Sequence, residues 1–238
     1  MAARGRSSFF LMPDTVPQRE LMRSLGRLVR GLSAVFWGLP LALVVSVQAA
    51  HTTVFGRLGL VPPLIAQGLL LFGLFEMGHF QRQERIWMQA LDRARLLALV
   101  NLGLSPFLHW SRVVPTELYF RAAVGVLAVS GVLFVFNLNH TMQRLAAMLP
   151  DETLRLETRL FTTLNLCLLL AGLLFASAGI LADRLGWLAV APLAVQAVIA
   201  RSALLIQLLL ILLPVALTMA LLWRLKETIL ASVFGEAR

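Results

Sequence analysis

The segments Leu160–Ala182 and Ser202–Trp223 each pass without a single charged residue. About 20 consecutive apolar residues are enough to cross a bilayer as a helix. Both segments therefore predict membrane-spanning helices. They are not isolated: 59% of the chain is hydrophobic, only 14% is charged, and the mean hydropathy is +0.82. A soluble domain carries nearer a quarter charged residues, so a soluble fold is excluded.

Reading from charge to charge gives six spans: Ser33–Ala50, Leu58–Phe75, Leu96–Trp110, Ala122–Leu138, Leu160–Leu181 and Ser202–Trp223. The third is the shortest, at about 24 Å of helix. The uncharged stretch Leu185–Ala200 contains Pro192 and abuts the sixth span across Arg201. It is expected to be an outer-surface or half-inserted helix leading into that span. The fold class expected is all-α: a polytopic bundle of six helices in three hairpins, spanning residues 20–228. Tails cover residues 1–19 and 229–238.

Net charge is +9, and every basic residue except Lys226 is arginine. These arginines gather beside the apolar runs, not in a solvated domain with groove-reading elements, which argues against nucleic acid as a partner. Arg19, Arg23, Arg27 and Arg30 precede the first span, and Arg82, Arg85, Arg93 and Arg95 fill the second connection. Arg144, Arg155 and Arg159 fill the fourth connection, and Arg224, Lys226 and Arg238 follow the last span. Only Arg57, Arg112, Arg121, Arg184 and Arg201 fall on the other side. The positive-inside rule then places both termini in the cytoplasm, in a bacterial inner membrane, with anionic lipid as the expected partner of the basic residues. The basic region before the first apolar run is too long for a signal peptide, so VQAA (Val47–Ala50) is read as part of an uncleaved helix.

An internal repeat is also legible. Glu20 to Trp37 and Glu84 to Asn101 span the same interval, and Arg159–Leu160 with Asn165–Leu166 match Arg95–Leu96 with Asn101–Leu102. The units would be 20–81, 82–143 and 144–228, each opening with an amphipathic helix at the lipid interface. Leu21, Leu25, Leu28, Val29 and Leu32 form the apolar face of the first such helix, and Ile86, Trp87, Ala90, Leu91 and Ala94 that of the second. Trp87, Trp110, Trp223 and Tyr119 are expected as interfacial anchors.

Four histidines lie near span ends, His51 and His109 on one side, His79 and His140 on the other. Two pairs at two depths are what two bis-histidine haem b groups would require, although ligands normally sit deeper in a bundle. In FEMGHFQRQER, Glu76 and His79 stand at Glu-x-x-His spacing, a metal-binding pattern on one helix face. The corresponding stretch NLNH, ending at His140, lacks the acid, which weakens a di-metal reading. Cys167 is a single thiol in an apolar run and makes no disulfide or cluster site within the chain.

The span interiors hold no Asp, Glu, Lys or Arg, which argues against ion-coupled transport. Their polar groups are Gln67, Asn101, Asn165 and Gln207, which either line a pore or stitch helices together. No phosphate loop, nucleophile elbow or zinc-peptidase motif occurs. The sequence therefore favours a non-enzymatic accessory, scaffold or assembly subunit without a cofactor, partnered by other membrane subunits or by copies of itself. A channel or facilitator for a small or lipid-like solute is the alternative, and a haem or metal redox subunit a third.

Overall fold

The computed structural model describes residues 15–52, 58–80, 84–148, 152–186 and 192–234. Helix accounts for 91% of these residues and none is in a strand, so a site among the described residues must be built mainly from helix faces. The elements are α1 (Thr15–His51), α2 (Val61–Met77), α3 (Arg85–Leu104), α4 (Pro106–Val113), α5 (Leu118–Ala147), α6 (Glu152–Arg184) and α7 (Leu193–Phe234).

Three antiparallel pairs organise the bundle. In the first, α1 buries Leu28, Leu32, Val35, Leu39, Ala42 and Ala49, a seam advancing mostly in steps of three and four residues. On α2 the facing seam is Pro63, Ala66, Gln67, Leu70, Leu74 and Met77. Such spacing keeps one face of each helix turned to its neighbour along its length. Two glycines bring the backbones together. A Cβ on Gly31 would stand 2.7 Å from the Gly73 carbonyl oxygen, and one on Gly73 would stand 2.9 Å from that of Gly31. Lipid tails are as apolar as leucine, so close packing of this kind is the principal attraction between membrane helices.

The second pair is α3–α4 against α5. Thr141 donates to the Ala90 carbonyl at 3.3 Å near one end, and Ser130 meets Asn101 near the other. Proline at 106 cannot donate to Leu102, and the Ser105 hydroxyl takes that carbonyl instead at 2.9 Å. The third pair is α6–α7, joined by Asn165 to Thr218 and by an ion pair of Glu157 with Arg224 at 3.0 Å. Both partners of that ion pair are substantially exposed, so its contribution is on the order of 0–1 kcal/mol.

Four helical segments are long and apolar enough to cross a membrane: Met22–Ala50, Leu118–Ala147, Arg155–Ala182 and Val195–Ala231. The second and third expected spans depart from this standard. Helix α2 has 17 residues, about 25 Å, and the third run is broken between α3 and α4 at Ser105.

The expected interfacial helices are not separate elements. Residues 20–32 continue without interruption into the first span, and Leu28 and Leu32 are buried inside the bundle. Trp87, expected at the lipid interface, is completely buried, and its Nε1 has no partner among the described residues. Leu28, Leu32, Trp87, Ala90, Leu91 and Ala94 of these faces pack within the bundle in place of lipid, while Ile86 stays exposed. The stretch Leu185–Ala200 is not a distinct helix either: α7 begins at Leu193 and continues through Arg201 to Phe234, while residues 187–191 lie outside the described part.

Candidate functional site

Packing is uneven along the bundle axis. The basic end is solid, with Trp87, Leu91, Leu138, Met142, Leu145 and Leu225 all under 2% exposed. At the far end the helices enclose a partly open cavity of about 490 Å³, within the range of roughly 300–1,000 Å³ typical of small-molecule sites. Its floor is made by α1, α2 and α3, through Leu39, Ala42, Gln67, Leu70 and Asn101. Its mouth lies among α5, α6 and α7, where Val129, Leu173 and Ile211 are exposed. No ionisable side chain lines it among the described residues.

Three of the four amides singled out in the sequence meet here. Gln67, Asn101 and Gln207 all line the cavity. Gln67 is 8% exposed and forms no hydrogen bond with a described residue, so its amide faces the space unpaired. Asn101, 3% exposed, accepts a 2.5 Å bond from the Ser130 hydroxyl, which fixes its Oδ1 and leaves its amino group without a described partner. Gln207 is exposed at the mouth. The Gln67 amide atoms are not among the fully enclosed unpartnered ones, so they remain open to the cavity and available to a further hydrogen-bonding group.

The fourth, Asn165, does not line the cavity. It donates to the Thr218 hydroxyl at 2.8 Å and to the Pro214 carbonyl at 3.3 Å. Asn139 donates to the same hydroxyl at 2.9 Å, and that hydroxyl donates to Pro214 at 2.8 Å. One threonine thus joins α5, α6 and α7 with all its hydrogen-bonding capacity used. The Oδ1 atoms of both asparagines are buried without partners among the described residues. Sequence reasoning missed Asn139, Thr218 and Ser130. Asn139 stood in the quoted NLNH stretch, and a polar side chain inside a span was the available signal.

The histidines do not converge on this space. His79, His109 and His140 are half-buried on the turn after α2, on α4 and on α5 respectively, and none lines the cavity; His51 is the last residue of α1. Helix α2 ends at Met77, so Glu76 and His79 do not share the face of one continuous helix as the Glu-x-x-His reading expected. The His79 ring donates from Nδ1 to the Phe75 carbonyl at 3.1 Å. Glu76 forms no ion pair among the described residues, and no three His, Cys, Asp or Glu side chains come together there.

Of the arginines assigned to head groups, Arg23, Arg27, Arg30, Arg85 and Arg93 are exposed at the basic end. Arg19 belongs to α1, and Arg82 lies outside the described residues. Arg95 behaves differently. It reaches from α3 to the Leu74 carbonyl at 3.3 Å and 3.2 Å, pairs with Asp92 at 2.8 Å, and lies 5.0 Å from the Phe75 ring centre. A guanidinium at a helix C-terminus satisfies orphan carbonyls and the negative end of the dipole. Gly78 makes the approach feasible, since any Cβ there would collide with the guanidinium. Arg155 serves the α5 terminus likewise through the Ala147 carbonyl at 3.2 Å, and Arg112 bonds the Thr52 carbonyl after α1. Set against known proteins, the chain matches no family model, no curated protein and no solved structure.

Proposed function

We propose that this chain is a multi-pass membrane protein that receives a small, uncharged, lipid-like molecule in the cavity at the far end of its bundle. One observation carries the reading: a partly open apolar cavity lined by Gln67, a side chain 8% exposed whose amide has no partner among the described residues. Such a site binds, shelters or passes a solute, since its described lining holds no ionisable side chain that could activate the Ser46 hydroxyl.

In the membrane, the three antiparallel pairs supply six crossings, with α3 and α4 together forming the third and the bilayer thinning around the short α2. The segregated arginines support placing the basic end in the cytoplasm of a bacterial cell, against anionic lipid. The three pairs are compatible with an ancestral threefold repeat, in which α6–α7 has diverged most.

Native mass spectrometry of the purified protein tests the cavity reading. A bound neutral lipid-like adduct, exchangeable for an added apolar probe, is the expected result. Protein that is ligand-free and takes up no probe would overturn it. Flux of the same probe across sealed vesicles then separates a facilitator from a simple binder.

An accessory or assembly role is the second reading, favoured by the outer halves of α6 and α7, where Leu174, Ile180, Val198, Leu204 and Leu209 are exposed. It predicts a stoichiometric membrane partner retained in mild detergent; a monomer purified alone under those conditions counts against it.

A further inference from the structure

Resting on the reading of the cavity as a ligand site, we infer that its occupant is a neutral amphiphile with a hydroxyl or carbonyl head, bound head-inward on the Gln67 amide. The cavity is asymmetric in depth and polarity. Gln67 and Asn101 form the closed floor, while Val129, Leu173 and Ile211 border a mouth that opens beside α5, α6 and α7. Of the four membrane-length helices those three are the least buried in the bundle, so the mouth faces hydrocarbon. A molecule coming from the bilayer passes a rim whose one amide is Gln207 before it reaches the Gln67 and Asn101 amides of the floor.

The chemistry of the floor limits the head. An amide offers two N–H donors and one carbonyl acceptor, so Gln67 can serve a hydroxyl in both directions and a carbonyl in one. The floor provides no charge of either sign, and an ionised head would be held at membrane depth with nothing to neutralise it. A pure hydrocarbon fits the walls but leaves the Gln67 amide unpaired. An oxygen-bearing neutral head satisfies both the floor and the walls, with its chain following Leu39, Leu70, Leu173 and Ile211 outward.

The test uses the full-length protein in nanodiscs and four isotopically labelled probes of equal chain length: hexadecanol, methyl palmitate, ionised palmitate and hexadecane. Hexadecanol and the ester should be retained about tenfold better than hexadecane, the effect of one or two hydrogen bonds. Ionised palmitate should fall about a hundredfold below hexadecanol. Gln67→Met keeps the side-chain volume and should lower hexadecanol to the level of hexadecane while hexadecane itself is unchanged, which also reports that the cavity has folded. Equal retention of hexadecanol and hexadecane, or full hexadecanol retention by Gln67→Met, overturns the head-group inference and leaves the cavity reading standing. Failure to retain any of the four probes overturns both.

Discussion

The two ends of the bundle are built from the same residue types and reach opposite results. At the basic end, Gly31 and Gly73 let α1 and α2 touch backbone to backbone, and Trp87, Met142 and Leu225 fill the space between the pairs. At the far end, Gly131 and Gly172 border a cavity: a Cβ on Gly131 would meet nothing within 4 Å, and one on Gly172 only an ordinary contact, Leu210 Cβ at 3.7 Å. A glycine in a membrane helix therefore means contact or vacancy according to what the neighbouring helix brings. The polar groups divide in the same way. Thr218 has its hydrogen bonds filled by α5, α6 and Pro214, whereas Gln67 has an open side. The difference teaches that the solid end packs helix against helix while the hollow end leaves space and an amide open between them.

Gly73→Leu attacks the solid end and should have the largest effect. Its Cβ would already lie 2.7 Å from Val35 Cγ2 and 3.1 Å from the Val35 nitrogen, with the Gly31 carbonyl as close. Backbone cannot retreat as a side-chain tip can, so a loss of about 3 kcal/mol is expected, the upper range for overpacking. A melt in detergent reads this as a large drop in Tm; an unchanged Tm would mean that α1 and α2 are not packed through these glycines.

Thr218→Val comes next. It keeps the shape but removes the acceptor of both asparagine amides, leaving two buried donors short of a partner. Interhelical bonds in bilayers are individually weak, so about 1–2 kcal/mol is the expected cost. Pairing the change with Asn165→Leu in a double-mutant cycle isolates the coupling, and strict additivity would remove Thr218 as the junction of α5, α6 and α7.

Gly131→Leu at the hollow end should have the smallest effect on stability. The new side chain enters open space and replaces a poor helix former, so stability should stay within about 1 kcal/mol. Ligand retention should nevertheless be lost, because the volume is occupied. Undiminished retention of an apolar probe would show that the guest sits elsewhere.

Much of this was legible in advance where one helix is sufficient to decide it. Uncharged runs gave the helices, and Gln67, Asn101 and Gln207 were picked out as polar groups at membrane depth, where any such group needs a partner or a purpose. Arg95 was misread as a head-group arginine, because its partner, the Leu74 carbonyl, belongs to another helix. Trp87 was misread as an interfacial anchor for the same reason: its burial comes from helices remote in sequence. The metal reading of Glu76 with His79 presumed a helix one turn longer than α2 is.

The sequence by itself determined that this chain is helical, apolar enough for a membrane, and asymmetric in basic charge, because hydropathy and charge act locally along the chain. It also determined where α3 gives way to α4, since Pro106 removes a backbone donor wherever it is placed. Only the tertiary structure decided which glycines are contacts and which are vacancies, which arginines cap helices, and that three amides face one cavity while Asn165 is committed to Thr218. Those outcomes depend on distances between helices that no single helix encodes, and a shift of one turn at a crossing would redistribute them.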